Sequence, residues 1–400
     1  MKIGILRETK TPPDTRVPLT PAQCRAIMDA HDDVLIVVQP AEKRCYRDEE
    51  YRRAGVELQA RLEDCDVLMG VKEVAIESLI QDKTYFFFSH TIKKQPYNRR
   101  LLQEVVKRHI RLIDYEVLTD DKGRRVIAFG RWAGIVGAHN TVHTWGKRTG
   151  RYDLPRMVHG ADFAEARAHY GMIDVRDLRI VVTGTGRVSH GAAEVLDHAG
   201  LERVAPSAFL KSPSKDGVYT MLEPKHMFAD ADGSWSPAFF DDPSGYHSIV
   251  RPYAESANVL INGIFWDNRG PALLTREDML AGVTLDVIGD ITCDIAPDAS
   301  LPSTIRPSTI AAPIYGYDPV RNAEAPPHED GVVDVMAVDN LPNELPRDAS
   351  QDFGEQFMAQ VLNELLMPET SDMLHRATIA RNGSLNEPFA YLDDYIHPTD

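Results

Sequence analysis

Charged side chains that could move protons or hold anions follow several apolar segments in the first third of the chain. They are Arg7, Lys10 and Arg16 after Lys2–Leu6, Lys72 and Glu73 after Val67–Val71, His90 and Lys93 after Tyr85–Phe88, and Glu116 after Ile110–Tyr115. Because ligands of parallel α/β sheets bind beyond the carboxyl ends of the strands, we expect these loops to converge on one crevice. Each charge taken alone is better explained as a solvated loop residue. The converging set predicts a site.

The chemistry of that set suits a substrate with several carboxylates and a reaction that moves protons. Cations are clustered there although the chain carries a net charge of −16. A histidine beside a lysine is a plausible acid–base pair, since histidine titrates near neutral pH and burial or like charge lowers the pKa of a lysine.

A glycine-rich turn in the middle of the chain predicts a dinucleotide site. The apolar run Ile180–Val182 leads into Gly184-Thr185-Gly186-Arg187-Val188-Ser189, and an amphipathic helix begins near Ser189. Small residues let backbone N–H groups approach a pyrophosphate, and the helix N-terminus adds unpaired amides and a partial positive charge. Ser189 stands where a third glycine is usual, and the next glycine is Gly191. Alone, the pattern fits an ordinary glycine turn equally well.

Two further features have competing explanations. His139 and His143 are four residues apart, a spacing that can hold a metal on a helix, but no nearby carboxylate or cysteine completes a ligand set. We therefore expect packing or surface roles and no metal. Asp339 follows the apolar run Val332–Val338, where it either caps the next helix or binds a substrate ammonium.

The alternation of strands and helices predicts two α/β domains. Thr20, Pro21 and Gln23 form a capping box that begins a helix. We expect two Rossmann-like parallel-sheet domains with the active site in the cleft between them. Residues 1–135 with about 345–400 form the substrate and catalytic domain, and residues 136–344 form the dinucleotide-binding domain. Other expected features are a helix over 131–146 crossing between the domains, a surface insertion over 228–245, a loop over 323–327 and an amphipathic helix over 349–367.

Composition excludes several classes of function. The 400 residues are 43% hydrophobic and 26% charged, as in soluble globular proteins. The acidic balance argues against nucleic acid or an anionic membrane as partner. The four cysteines contain no C-x-x-C pair, the first residues turn charged too soon for a signal peptide, and no apolar run reaches a membrane span. The expected location is the cytoplasm.

Short stretches along nearly the whole chain match one family. They are Leu6–Lys10, Gly70–Glu73, Ser89–Lys93, Arg111–Glu116, Ala128–Gly134, Thr183–Ser189, Leu260–Trp266, Val338–Pro342 and Arg376–Leu385. The sequence resembles the lysine-ketoglutarate reductase half of the bifunctional aminoadipic semialdehyde synthases. It is similar, more distantly, to the stand-alone lysine-forming saccharopine dehydrogenases. Both belong to the alanine dehydrogenase/transhydrogenase superfamily.

The resemblance implies a reversible, NAD(P)H-linked condensation of L-lysine with 2-oxoglutarate to saccharopine. It assigns proton transfer to Lys72 and His90. The remaining roles it implies are carboxylates that tune the lysine (Glu73 and Glu116), cations that bind substrate carboxylates (Lys10, Arg16 and Lys93), an acid facing lysine (Asp339) and cofactor contacts (Gly184, Thr185, Gly186, Arg187, Val188, Ser189, Gly263 and Ile264). A separate glutamate-forming saccharopine dehydrogenase is a possible pathway partner.

One departure bears on the cofactor. An NAD site expects an acidic residue about twenty positions after the glycines, to bind the ribose hydroxyls. The segment after the next strand, Val204–Lys211, contains no acid, and Ser207, Lys211 and Ser212 are suited to a 2′-phosphate. This favours NADP and leaves NAD open.

Two other functions remain in view. An alanine dehydrogenase-like or other amino-acid or imine oxidoreductase would use Lys72 and His90 without needing Arg16 and Asp339. A nucleotide-binding regulator without catalysis would not need Lys72 and His90.

Overall fold

The computed structural model describes residues 1–211, 216–367 and 370–398, and the chain divides into two units. Unit 1 is Met1–Phe129 with Pro346–Asp400, and unit 2 is Gly130–Leu345. The first break therefore lies at the start of a helix, six residues before the predicted 136.

The first segment of unit 1 alternates strands and helices. Its strands are β1 Lys2–Ile5, β2 Leu35–Val38, β3 Glu57–Leu58, β4 Val67–Met69, β5 Thr84–Phe87 and β6 Arg111–Asp114. Its helices are α1 Pro21–Ala30, α2 Asp48–Arg53 and α3 Arg99–Lys107. The capping box at α1 is confirmed, because Thr20 accepts from the Gln23 amide and the Gln23 side chain accepts from the Thr20 amide.

Unit 2 contains the second sheet. Its helices are α4 Gly130–Thr149, α5 Phe163–Ala168, α6 Arg187–His198, α7 Pro206–Phe209, α8 Pro224–Met227, α9 Arg251–Glu255 and α10 Arg276–Leu280. Its strands are β7 Arg179–Thr183, β8 Glu202–Arg203, β9 Val218–Leu222, β10 Phe228–Ala229, β11 His247–Ser248, β12 Val259–Asn262, β13 Val287–Asp290, β14 Ile314–Asp318, β15 Ala323–Ala325 and β16 Val333–Met336.

The chain then returns to unit 1. This segment contains α11 Pro346–Gln360, α12 Leu362–Leu366, α13 Asp372–Ala377, β17 Thr378–Arg381, β18 Ser384–Leu385 and α14 Asp393–Ile396. The single helix expected over 349–367 begins earlier and is interrupted at Val361. The expected loop over 323–327 contains β15, which pairs antiparallel with β14.

Each unit is built on an eight-stranded, mostly parallel sheet. The order in unit 1 is β18-β17-β6-β5-β4-β1-β2-β3, and among the described strands of this sheet β17 alone runs opposite to the others, so it pairs antiparallel with both β6 and β18. The order in unit 2 is β15-β14-β16-β13-β12-β7-β9-β8, and among the described strands of this sheet β14 alone runs opposite to the others, so it pairs antiparallel with both β16 and β15. Apart from the two-residue edge strands β3 and β8, the parallel strands are buried and mostly apolar, as expected for sheets covered on both faces. The predicted α/β class with two Rossmann-like sheets is confirmed.

The helix expected to cross between domains belongs to unit 2. It is α4, whose residues from Gly134 to Gly146 are buried, and it packs closely on α6. A methyl group at Gly191 would overlap the Arg131 carbonyl oxygen, so glycine is required where these two helices meet. Among the residues that the structure covers, no helix is long and apolar enough to cross a membrane.

Candidate active site and dinucleotide site

Glu73 is the centre of a hydrogen-bonded cluster in unit 1. One carboxylate oxygen lies 2.6 Å from His90 Nδ1, and the other accepts from Lys10 Nζ at 3.1 Å. Asn98 Nδ2 lies 3.5 Å from the first oxygen. Burial acts to raise the pKa of Glu73, but the His90 hydrogen bond and the nearby positive charges hold the pKa at about 2. Glu73 is therefore a fixed anion that orients the His90 ring and anchors Lys10.

His90 is held at the end of β5 in an unusual backbone conformation. Its φ is 51°, in the left-handed region that non-glycine residues seldom adopt. The preceding residue, Ser89, is fixed because its amide and its hydroxyl both donate to the buried Asp114 carboxylate, at 2.9 and 2.5 Å. Such conformations concentrate at functional sites, where the surrounding contacts impose them.

Lys72 lies in an environment that favours its neutral form. Burial, followed by the charges of Arg16 and Lys10, lowers the pKa of its ammonium from 10.5 to about 8. Asp14 and Glu73 oppose this shift only in part. At neutral pH the side chain therefore exists in both protonation states, which is the condition for a group that exchanges protons.

The backbone at Lys72 is held by a carboxylate from the first loop. Glu8 accepts from the amide of Val71 at 2.6 Å with one oxygen and from the amide of Lys72 at 3.0 Å with the other. Burial of this carboxylate raises its pKa to about 7, although the two amides act to lower it. Glu8 thus connects the loop after β1 to the loop after β4.

Arg16 is buried and already paired. Its Nε donates to Asp14 Oδ1 at 3.0 Å and its Nη2 to Asp14 Oδ2 at 2.6 Å, while the guanidinium lies 4.2 Å from the centre of the Phe129 ring. Although burial acts to raise the pKa of Asp14, the charge and hydrogen bonds of Arg16 hold it well below its usual value. A cavity of about 780 Å³ is lined by Glu8, Lys10 and Asp14, together with Arg16. An anion could enter here beside Lys10 and Arg16.

Three predicted substrate residues lie outside this cluster. Lys93 is exposed and Glu116 is half-buried. No hydrogen bond or ion pair among the described residues joins either side chain to Glu73. Asp339 is exposed after β16, and the capping explanation for it is wrong because Asn340 occupies the cap position of the short helix Leu341–Glu344.

The glycine turn of unit 2 has the geometry of a phosphate loop. Gly184 has a φ of +84° and is buried, and its amide donates to the Leu222 carbonyl at 2.9 Å. Gly186 is the N-cap of α6 and supplies no capping side chain, so the first amides of a 12-residue helix face the turn. Ser189 replaces the usual third glycine and donates from its hydroxyl to the Thr183 carbonyl at 2.9 Å. These residues fit a pyrophosphate.

The other predicted cofactor residues line the same region. Thr185, Gly186 and Arg187 are exposed in the turn, and Val188 is half-buried beneath them. Gly263 and Ile264 follow β12 and share a cavity of about 280 Å³ with Gly184, Thr185 and Gly186. The Gly263 amide donates to the Thr183 hydroxyl at 3.2 Å, which fixes the loop after β12 to the end of β7.

The reason for expecting NADP was wrong, because it took the wrong strand as the neighbour of β7. Ser207 is exposed after β8, a two-residue strand at the sheet edge, and Ser212 lies outside the described residues. The strand paired with β7 is β9, and the residue after its last position is Glu223. An acid therefore occupies the place where ribose-binding acids lie in this fold. It was missed because β8 and the segment after it separate Glu223 from the glycines.

The two histidines of α4 have structural partners. His139 hydrogen-bonds to the Tyr170 hydroxyl and to the Pro155 carbonyl, and burial lowers its pKa to about 4. His143 bonds to the Leu154 carbonyl. Within the described residues no group of histidine, cysteine or carboxylate side chains has the arrangement of a metal site.

Sequence reasoning missed four residues that organise the unit 1 cluster. They are Glu8, Asp14, Asn98 and Asp114. Asp114 had a signal, since it is the one carboxylate in β6 and directly follows the apolar pair Leu112 and Ile113. Glu8 and Asp14 lie in polar loops and Asn98 ends a short helical turn before α3, where nothing local distinguishes a structural polar group from a solvated one.

Comparisons with known proteins support the fold described above. Residues 4–136 match the family model for the alanine dehydrogenase/PNT N-terminal domain. A solved L-alanine dehydrogenase structure superposes with a TM-score of 0.66 at 17% identity, covering 100% of this chain and 99% of the other. A transhydrogenase structure from Sinorhizobium meliloti gives 0.55 at 12% identity, covering 97% and 99%. At these identities the superpositions establish the fold.

Sequence relatives are more similar. The mitochondrial alpha-aminoadipic semialdehyde synthase of Rattus norvegicus is 33% identical over 98% of this chain and 47% of its own length. That of Arabidopsis thaliana is 32% identical over 98% and 41%. The saccharopine dehydrogenase (NAD+, L-lysine-forming) of Emericella nidulans is 25% identical over 90% and 91%. This chain spans about half the length of the two synthases. Residues 4–136 therefore match the alanine dehydrogenase/PNT N-terminal domain family, and the chain is homologous to alpha-aminoadipic semialdehyde synthases and lysine-forming saccharopine dehydrogenases.

Proposed function

We propose that this protein is an oxidoreductase that condenses L-lysine with 2-oxoglutarate and reduces the product to saccharopine, reversibly. The observation that carries the proposal is the cluster of Lys72, Glu73 and His90 beside the cations Lys10 and Arg16. The homology to lysine-forming saccharopine dehydrogenases supplies the substrates.

Two side chains would move the protons. Neutral Lys72 accepts a proton from the ε-ammonium of the substrate lysine, whose free amine then attacks the keto carbon. Glu73 holds His90 through Nδ1, which leaves Nε2 facing away from Glu73. From there His90 donates a proton to the hydroxyl of the carbinolamine, which leaves as water, and the protonated imine remains.

The charges around these groups would bind the two substrates. Lys10, Arg16 and Lys93 hold the carboxylates of 2-oxoglutarate and of saccharopine. Asp339, exposed after β16, faces an ammonium group of lysine. Glu116 contributes negative charge that favours the protonated form of Lys72.

The cofactor is a nicotinamide dinucleotide, which supplies the hydride that reduces the imine carbon when it is bound. Gly184, Gly186 and the first amides of α6 would hold its pyrophosphate. We propose NAD in preference to NADP, since Glu223, directly after β9, would accept hydrogen bonds from ribose hydroxyls and repel a 2′-phosphate. Glu223 is half-exposed and pairs with Lys225 at 3.0 Å, so it is accessible there.

Cofactor preference gives a first prediction. Wild-type protein should have a lower KM for NADH than for NADPH, and Glu223→Ser should lower the KM for NADPH and raise that for NADH by about tenfold each, the value of one charged hydrogen bond. Glu202→Ser, on the edge strand β8, is the matched control and should change neither. Equal preference in wild-type and Glu223→Ser protein would contradict this assignment.

The reaction is tested by following NADH and NADPH oxidation with lysine plus 2-oxoglutarate, and separately with pyruvate plus ammonia. Turnover only with the first pair supports the proposal. Turnover only with the second pair makes the protein an alanine dehydrogenase-like enzyme. Dinucleotide binding with no turnover on either pair indicates a non-catalytic regulator. A separate glutamate-forming saccharopine dehydrogenase is the proposed pathway partner and would consume the saccharopine.

A further inference from the structure

Two large aromatic side chains of unit 2 are exposed at the rim of the cavity beside the glycine turn. Phe240 is 65% exposed and Phe265 is 87% exposed. Both line the cavity of about 280 Å³ that also contains Gly184, Thr185 and Gly186. Most of the other lining side chains are apolar, and Met227, Phe228 and Phe239 are among them. Apolar surface that gathers around a pocket in this way is typical of a ligand site.

The wall that carries Phe240 is a fixed structure, although the sequence suggested only a surface insertion. β10 and β11 pair antiparallel at its base. Phe239 stacks on Phe228 with ring centres 4.5 Å apart, and Tyr246 meets Phe239 edge to face at 5.2 Å. These contacts bury one side of the insertion. The next ring, Phe240, lies at the surface, where it contacts Phe239 and Trp235 edge to face.

The position of the cavity relative to the sheet limits what can occupy it. It lies at the carboxyl ends of β7, β9 and β12, since Gly184, Pro224 and Gly263 all line it. Glu223, the proposed ribose ligand, immediately precedes Pro224. A dinucleotide with its pyrophosphate at Gly184–Gly186 and a ribose at Glu223 would extend its base into this apolar space.

We propose that Phe240 and Phe265 form a stacking site for the adenine ring of the dinucleotide. A flat aromatic base stacks on exposed phenyl rings and gains from leaving water. The inference rests on the dinucleotide-binding part of the proposed function and is independent of the amino-acid substrates. It gives the predicted insertion over 228–245, which contains Phe240, a binding role in addition to its structural one.

Calorimetric titration of the full chain with ADP-ribose, which contains the adenine, and with nicotinamide mononucleotide, which lacks it, tests the proposal. Stacking on an aromatic side chain contributes about 1–3 kcal/mol per base, so Phe240→Ala and Phe265→Ala should each raise the Kd of ADP-ribose by about tenfold or more. The Kd of nicotinamide mononucleotide should not change. Phe265→Trp keeps a stacking surface and should bind ADP-ribose like wild-type protein.

Val320→Ala is the matched control, because Val320 is 71% exposed in the same unit and does not line the cavity. Unchanged ADP-ribose binding in both alanine variants would overturn the stacking site, as would an equal loss for both ligands. Wild-type protein that binds neither ligand would remove the dinucleotide site itself. If binding depends on both phenyl rings but no lysine-dependent turnover is found, the stacking site stands and the proposed reaction falls.

Discussion

The proposed chemistry depends on a lysine whose ammonium loses its proton within the physiological range. Because burial and two neighbouring cations bring the pKa of Lys72 to about 8, kcat/KM should rise as pH increases through 8 and then level off. Lys72→Met should lower kcat/KM by about 100-fold or more and remove this rise, leaving only the ionisation of the substrate amine at higher pH.

The His90→Gln variant, studied in the same pH–rate measurement, separates the role of His90 from that of Lys72. It should lower kcat/KM by a similar factor of about 100 and retain the rise near pH 8, since Lys72 is still present. A pH profile for Lys72→Met that matches the wild-type profile would remove Lys72 from the proton transfer. The exposed Lys122 provides a control variant, Lys122→Met, with an unchanged profile.

Glu8 is expected to act through the backbone of Lys72. The Glu8 carboxylate accepts hydrogen bonds from two backbone N–H groups, at 2.6 and 3.0 Å. In Glu8→Gln the side-chain NH2 group faces one of these N–H groups, so one hydrogen bond is replaced by a repulsive contact. We expect kcat to fall by about tenfold, the effect of one lost hydrogen bond at a positioned group, with the Kd for NADH unchanged. Parallel losses in kcat and in NADH affinity would indicate general misfolding instead.

At the level of secondary structure, α4 and α6 meet so closely that a side chain cannot be added. A methyl group at Gly191 would overlap the Arg131 carbonyl oxygen, and one at Gly134 would overlap the Val188 carbonyl oxygen. Gly191→Ala should therefore lower the free energy of unfolding by about 1–3 kcal/mol, the usual cost of adding a methyl group to a tightly packed core. Urea titrations measure this difference. It should also displace the first turn of α6 and weaken NADH binding.

Gly171→Ala is the matched control for this helix contact. A methyl group there meets no atom within 4 Å, and the residue lies in a short helical turn. It should leave both the unfolding free energy and NADH binding unchanged. Equal stabilities for Gly191→Ala and wild-type protein would show that the two helices can separate without cost.

The elements that sequence predicts well are those with local signals. The capping box at Thr20, the buried parallel strands and the glycine turn depend on residues within a few positions of each other. Glu223 could not be found this way, because its role depends on β9, and not β8, pairing with β7. The links from Glu8 to Val71 and from Asp114 to Ser89 join residues 63 and 25 positions apart. Their partners depend on strand order, which local patterns do not specify.

For the molecule as a whole, the candidate site is a source of instability as well as function. Charged Lys72 is held where burial and like charges disfavour it, and stability is commonly lost where activity requires such groups. Asp14 and Glu73 act in the opposite direction, because their pKa values are lowered on folding. Their contribution is present at neutral pH and is lost as pH falls below about 4, so acid should unfold the protein before the site carboxylates are all protonated.

The opposing effect of Lys72 predicts a stability difference that depends on pH. Because its pKa is lowered from 10.5 to about 8, the unfolded chain binds more protons than the folded chain between these values. The unfolding free energy of wild-type protein should therefore rise with pH across this range, relative to Lys72→Met. Below pH 8 Lys72→Met should be the more stable protein by about 3 kcal/mol, and this advantage should disappear as pH approaches 10.5. Urea unfolding at pH 7, 9 and 10 measures the difference, with Lys122→Met expected to show none. If the difference in unfolding free energy between Lys72→Met and wild-type protein stays constant across this range, the ammonium of Lys72 is not destabilised in the folded protein.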